Sequence, residues 1–187
     1  MLRRARSPDA IIQVNHPRSG RNGYFDQLGF DPAIGAGKHP AYDGRFDAVE
    51  VWSGRYVASR AKVLEDLWGL LRAGRPATPT ANTDSHGIVG AEPGYPRTYV
   101  GVGVDEPARL DPAALVEGLR RRRDVVITNG PFVTLRLGEV RQGGIASPGR
   151  GAALTVRVER ALWVDATELT LLVGGAPAAT MPLPGAA

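Results

Sequence analysis

The chain has 187 residues, 43% of them hydrophobic and 22% charged, a balance that fits one globular domain with room for a small appendage and contains no apolar run near the ~20 residues of a membrane span. Its formal net charge of +4 is carried almost wholly by arginine, and the absence of cysteine excludes disulfides, thiolate metal sites and a cysteine nucleophile. The basic start, Met1-Leu2-Arg3-Arg4-Ala5-Arg6-Ser7-Pro8, leads into no apolar core segment, so it does not read as a signal peptide and the default expectation is a cytoplasmic chain.

In chain order, Ala10-Ile11-Ile12-Gln13-Val14 reads as a short buried strand that Pro17 ends, and Pro17 biases His16 toward an extended conformation. His16 then falls at a strand's C-terminal end, where α/β folds bind ligands. A lone histidine is also an ordinary surface or core residue; its location is what singles it out. Residues 18–44 are rich in Gly, Pro, Asn and Asp and read as a long loop with one short helix near 24–28, able to shape a pocket behind His16. His39, within it, reads as an exposed loop residue. The strand expected over 46–52 puts Ala48, Glu50 and Trp52 on one face and Val49 and Val51 on the other. A glutamate in an apolar strand is costly unless paired or coordinating, so Glu50 either faces water from an edge strand or aims at the same site as His16. Residues 56–73 have helical spacing, with an apolar stripe of Val57, Ala61, Leu64, Trp68 and Leu71, a cap at Gly74 and Pro76 beyond it.

A strand over 77–83 leads into Asn82-Thr83-Asp84-Ser85-His86-Gly87. In an extended chain Asp84 and His86 project to one face, and carboxylate with imidazole is a ligand pair for zinc, manganese and iron. The same residues are good turn formers. Residues 87–97 form a second irregular loop with Glu92, Tyr95 and Arg97. Arg97 is either a surface arginine before a strand or a cation for an anionic substrate or transition state. A strand over 99–104 precedes a helix opened by Asp111 as N-cap and Pro112 at its first position, with Leu115, Val116 and Leu119 buried. Arg120 to Arg123 complement that helix's dipole and are expected to be solvated. Without interleaved aromatics they do not read as a nucleic-acid surface. After a strand over 125–128 the pattern becomes β-like at 132–137, 152–160 and 168–173, with turns at Gly143-Gly144 and Gly174-Gly175 and a Pro/Ala/Gly-rich tail over 176–187 expected to be poorly ordered. The order fits repeating β/α units over 1–131 and a small, incomplete β-rich appendage over 132–187.

Asn15-His16-Pro17, Val49-Glu50-Val51-Trp52, Asn82-Thr83-Asp84-Ser85-His86 and Thr128-Asn129-Gly130-Pro131-Phe132, in that order, resemble the C-terminal half of a PHP-domain (polymerase and histidinol phosphatase superfamily) protein, most closely the CehA/McbA-type metallohydrolases. The resemblance spans roughly residues 8–140, and the β-like stretch beyond also resembles the region after the barrel in that branch. It implies an α/β fold, here a partial distorted (β/α)7 barrel, with two or three divalent ions (Zn, Mn or Fe) at the strands' C-terminal ends of a complete member. It implies hydrolysis of phosphoesters, or of carbamate or amide bonds, in a small-molecule substrate. His16, Asp84 and His86 match metal ligands; Glu50 lies on a strand whose glutamate is often retained near the site.

The departures matter as well. With only His16, His39 and His86, the chain lacks the family's opening His-x-His, so it is expected to begin partway through the barrel, to expose a sheet edge open to association with another chain, and to have little activity alone. Three protein ligands suffice for one ion. The alternative is a non-catalytic barrel fragment acting as an interaction module.

Overall fold

A computed structural model describes residues 10–54, 57–90, 93–147 and 151–185. The basic start, Tyr56 as the first helical residue, Glu92 and the last two alanines lie outside these. The elements run β1 (Gln13–Val14), α1 (Tyr24–Gln27), β2 (Phe30–Asp31), β3 (Ala36–Gly37), β4 (Ala48–Ser53), α2 (Arg60–Arg72), β5 (Thr78–Asn82) and β6 (Arg97–Val100). They continue with α3 (Pro112–Arg121), β7 (Val125–Thr128), β8 (Phe132–Leu137), β9 (Val140–Arg141), β10 (Leu154–Glu159), β11 (Glu168–Val173) and β12 (Ala176–Pro182). The chain is mixed α/β with more strand than helix, and no closed barrel forms among the described residues. None of the helices among them is long and apolar enough to cross a membrane.

The platform is a three-stranded parallel sheet in the order β1-β4-β5, with Val14 beside Val49 and Glu50 beside Thr80. Parallel strands end on the same side, so the chain leaves β1 at Asn15, β4 at Gly54 and β5 at Thr83 in one neighbourhood. The register slips between Glu50 and Trp52 against β5. Such a bulge re-aims side chains at a strand end, and here Val49, Glu50 and Val51 are all buried. The sheet does not continue as further parallel β/α units: β6 and β7 pair antiparallel. They join β5 through one side chain, since the Thr98 hydroxyl accepts from Ala81 N at 2.8 Å and donates to Ala81 O at 2.9 Å. The strand expected over 99–104 is thus shifted to Arg97–Val100, where Thr98 can make that bridge.

The core lies between this sheet, α2 and the segment 24–46. Ile12, Val14, Val49 and Val51 meet Val63 and Leu70 of α2 and Phe25, Phe30 and Phe46. Segment 18–44, expected as a long loop with one short helix near 24–28, forms that helix as α1 and also supplies Phe25 and Phe30 to the core, their rings stacked at 4.3 Å. Its Gly and Asp residues make tight turns between buried rings. The face of α2 also differs from expectation. Val63, Asp66, Gly69 and Leu70 are buried, while Val57 and Leu71 are about half exposed, at 53% and 50%. An apolar count misses this face because two of its members are a paired aspartate and a glycine. A Cβ on Gly69 would collide with Pro32 O, so α2 reaches the β2–β3 segment only with no side chain there. The expected end of α2 holds: Gly74 is left-handed at φ 69° and Arg75 N donates to Leu70 O at 2.9 Å.

α3 starts as expected, Asp111 Oδ1 accepting from Ala113 N at 2.9 Å ahead of Pro112. Its buried residue is Gly118, with Val116 and Leu119 half-buried and Leu115 exposed. The arginines at its end are not a uniformly solvated group. Arg120 donates to Ala10 O at 2.8 Å and Arg122 to Pro76 O at 3.3 Å, tying α3 to the sheet's entry side. In the β-rich remainder, β8 pairs antiparallel with β10 and β9, and β11 with β12. Of the tail expected to be poorly ordered, Ala176–Pro182 form strand β12. Gly174 and Gly175, at φ 62° and 95°, form the two-residue turn in which both positions need positive φ, and so fold 176–182 back on β11.

Candidate functional site

The three strand ends of the parallel sheet bring His16, Glu50, Asp84 and His86 together. Glu50 is 2% exposed on the central strand β4, which removes the reading of a water-facing edge carboxylate. Its Oε2 accepts the His16 backbone N–H at 2.6 Å and faces His16 Nδ1 at 2.9 Å, while its Oε1 accepts from Asn82 Nδ2 at 2.8 Å. Ser53 Oγ lies 3.2 Å from His16 Nδ1. On the other side of the ring, His16 Nε2 is 3.7 Å from Asp84 Oδ1, and His86 Nε2 is 3.1 Å from the same oxygen. The side chains of His16, Asp84 and His86 are 41%, 25% and 83% exposed, so the group opens outward from a closed base at Glu50.

The backbone route to this arrangement is not the extended one. His16 has φ 48° and Asp84 φ 52°, two of the four left-handed non-glycine residues among those described. Pro17's bias toward an extended His16 is outweighed because the left-handed turn aims the His16 N–H at Glu50 and lets Ser19 N donate to His16 O at 3.2 Å. β5 stops at Asn82, so Asp84 and His86 meet across a turn and not along a strand face. Positions of this kind cost of order 1–3 kcal/mol each and cluster at functional sites.

Beside His16 is a cleft of about 240 Å³ whose lining includes Arg18, Ser19, Asn22, Ser53, Ser59 and Asp84. Arg18 forms one wall but is engaged elsewhere. It donates in a fork to Asp66, Nε to Oδ2 at 2.6 Å and Nη2 to Oδ1 at 2.5 Å, with Nη1 to Asp26 Oδ1 and Nη2 to Phe30 O both at 3.1 Å. The guanidinium also lies over the Phe25 and Phe30 rings, at 5.7 and 5.8 Å. Hydrogen bonding to Asp66 holds Arg18 above its ordinary pKa, and burial pushes the Asp66 carboxyl up against the pull of that cation. This network fixes the turn that carries His16 onto α2. Sequence reading missed Arg18, Ser53 and Asp66, and gave Asn82 no role beyond its place in the motif that carries Asp84 and His86; for Arg18, its position two residues after His16 was an available signal.

Among the described residues Arg97 makes no hydrogen bond or ion pair with the cluster. Its Nε donates to Tyr99 OH at 2.8 Å and its Nη1 to Gly94 O at 2.9 Å, between the Tyr95 and Tyr99 rings, and hydrogen bonding to Tyr99 raises its pKa. His39 is exposed, as expected, and its Nδ1 accepts from Ala41 N at 3.1 Å. Among the described residues no three His, Asp or Glu side chains form a ready-made ion-holding group. Asp84 Oδ1 instead stands between the two imidazoles. No protein-family model matches the chain, nor does any curated protein or solved structure.

Proposed function

We propose that the strand-end cluster belongs to a PHP-type metallohydrolase, built on a partial distorted barrel of which β1, β4 and β5 are the parallel strands. In this reading His16 Nε2, Asp84 and His86 Nε2 hold one divalent cation (Zn, Mn or Fe), and a small-molecule phosphoester, carbamate or amide is hydrolysed. The observation that carries the reading is the single carboxylate oxygen flanked by two imidazole nitrogens at 3.1 and 3.7 Å. Two ligands of one ion with bonds of ~2.0–2.2 Å sit about 3.0–3.6 Å apart, so the donors fit in chemistry, the 3.1 Å pair fits in spacing, and the 3.7 Å pair must close slightly to share an ion. His86, at 83% exposure, has room to turn. A cation bound there supplies Lewis acidity and activated water.

The chain's own groups do the rest. Ser19, Asn22, Ser53 and Ser59 offer neutral hydrogen-bonding groups along the cleft that orient a polar substrate, and Pro17, Val51 and Val63 give it apolar wall. Arg97 stabilises the arrangement of Tyr95 and Tyr99 and is not assigned a catalytic role.

Calorimetric titration with Zn²⁺ and Mn²⁺, alongside turnover of aryl phosphate and aryl carbamate, tests the reading. Asp84→Asn keeps shape but removes a ligand charge, so cation affinity should fall at least about 10-fold and metal-dependent turnover should drop with it. His39→Ala should change neither. Undiminished binding and turnover in Asp84→Asn would remove the assignment. Binding without turnover on either substrate favours the non-catalytic module.

A further inference from the structure

We infer that Glu50 is a positioning residue: it locks His16 in the Nδ1–H tautomer and turns the bare Nε2 toward Asp84. Only the last step, what Nε2 then binds, rests on the metallohydrolase reading.

Glu50 Oε2 receives the His16 backbone N–H at 2.6 Å and lies 2.9 Å from Nδ1 of the same residue. Its other oxygen is held by the Asn82 amide at 2.8 Å. Both oxygens are therefore committed as acceptors, on a side chain 2% exposed in the middle of the parallel sheet. With both oxygens accepting, the ring nitrogen that Oε2 faces at 2.9 Å is the one to which the proton is assigned. Ser53 Oγ, 3.2 Å from Nδ1, accepts from an Nδ1–H or donates to a bare Nδ1, according to the tautomer. A neutral imidazole has a single N–H, which leaves Nε2 with a lone pair. The opposite side of the ring agrees: Nε2 and Asp84 Oδ1 stand 3.7 Å apart, outside hydrogen-bond range, as expected of two acceptors facing each other. Two facing acceptors are the arrangement a cation fills. Histidines that bind metal through one nitrogen usually give the other N–H to a carboxylate or carbonyl, which fixes ring and tautomer together. Glu50 is thereby placed behind His16 and not on the ion.

The chain carries its own control. It has three histidines, and His39 Nδ1 accepts from Ala41 N at 3.1 Å, so His39 must be the opposite tautomer, Nε2–H. Long-range ¹H–¹⁵N correlation of the metal-free chain, at a pH about two units above the ordinary imidazole value of ~6.5, separates protonated from bare ring nitrogens. The expected result is Nδ1–H at His16 and Nε2–H at His39. An Nε2–H His16, or a ring protonated on both nitrogens at that pH, would overturn the inference without any variant being made.

Glu50→Gln supplies the second measurement. Its amide can donate to Nδ1, so His16 should shift toward Nε2–H and Zn²⁺ affinity should fall about 10–100-fold. Glu50→Asp retains an acceptor and should keep the Nδ1–H tautomer. Circular dichroism identifies a variant that has not folded, and the wild-type spectrum then stands as the deciding result. A folded Glu50→Gln with an unchanged tautomer also overturns the inference. Should wild-type His16 be Nδ1–H while the chain binds no Zn²⁺, Glu50 keeps its positioning role and the ligand reading of His16 is the part that fails.

Discussion

Gly54 shows how closely the site's backbone is packed. It sits where β4 ends, at φ 46°, and donates its N–H to Asn82 O at 2.8 Å. A Cβ there would lie 2.8 Å from Thr83 O, one residue before Asp84. Both the left-handed φ and the close carbonyl call for glycine. Gly54→Ala should therefore lower stability by about 1–3 kcal/mol in urea unfolding and weaken the cation binding proposed at Asp84 at the same time. An alanine variant with wild-type unfolding would mean that the turns after β4 and β5 do not constrain one another. His16 and Asp84 are left-handed as well but are not glycine. Their side chains are retained at backbone positions where glycine would be less strained, which fits a requirement for the side chains themselves.

Among the elements, α2 is held by an ion pair as much as by apolar contact. Arg18 and Asp66 are 6% and 0% exposed at the side chain, and Asp26 and Lys62 extend the network toward solvent. Removing one partner of a buried pair strands the other, which costs about 3–5 kcal/mol. Arg18→Met should show a loss of that size in chemical denaturation. Arg18→Met combined with Asp66→Leu should lose less than the sum of the two single changes; strict additivity would mean that the pair is not coupled. The same network marks the limit of what the sequence could reveal. The capping of α2 by Gly74 and of α3 by Asp111 follows from turn chemistry and was legible, as was the placing of His16, Asp84 and His86 at strand ends; the left-handed backbone at His16 and Asp84 that brings them together was not. The buried face of α2 was not, because Asp66 counts as core only once Arg18, 48 residues away, is known to meet it. The aromatic core of segment 24–46 was hidden for a related reason: its rings are spaced by turns and obey no helical or strand period. Glu50 stayed ambiguous until β4 was seen to be the central strand.

At the scale of the whole molecule, burial is uneven, and this determines what global unfolding reports. The fully buried side chains Phe25, Leu70, Val49, Val63, Thr78 and Asp66 all belong to the sheet, α2 and segment 24–46, whereas β12 is exposed along its length. Cooperative unfolding should therefore register groups in the first part above all, and Tyr42 is one of them. It packs on the core cluster with ring centroids 6.0 Å from both Tyr24 and Phe30, and its hydroxyl is buried with no hydrogen-bond partner among the described residues. Burial pushes its phenol up to about 12. In the unfolded chain a tyrosine titrates near 10. Between about pH 10 and about pH 12 the unfolded chain has released a proton that the folded one still binds, so stability falls as pH rises through that window; below it this contribution is fully present. Tyr42→Phe removes the ionisable group without changing the ring. At neutral pH the variant should be as stable as the parent or slightly more so, because an unpaired buried hydroxyl is lost. Above about pH 10 its stability should fall less steeply, by about one proton's worth of linkage. Urea midpoints measured from about pH 9 to about pH 11.5 compare the two slopes. Equal slopes would mean that Tyr42 ionises as readily in the folded chain as in the unfolded one, and that the core against segment 24–46 is open to solvent.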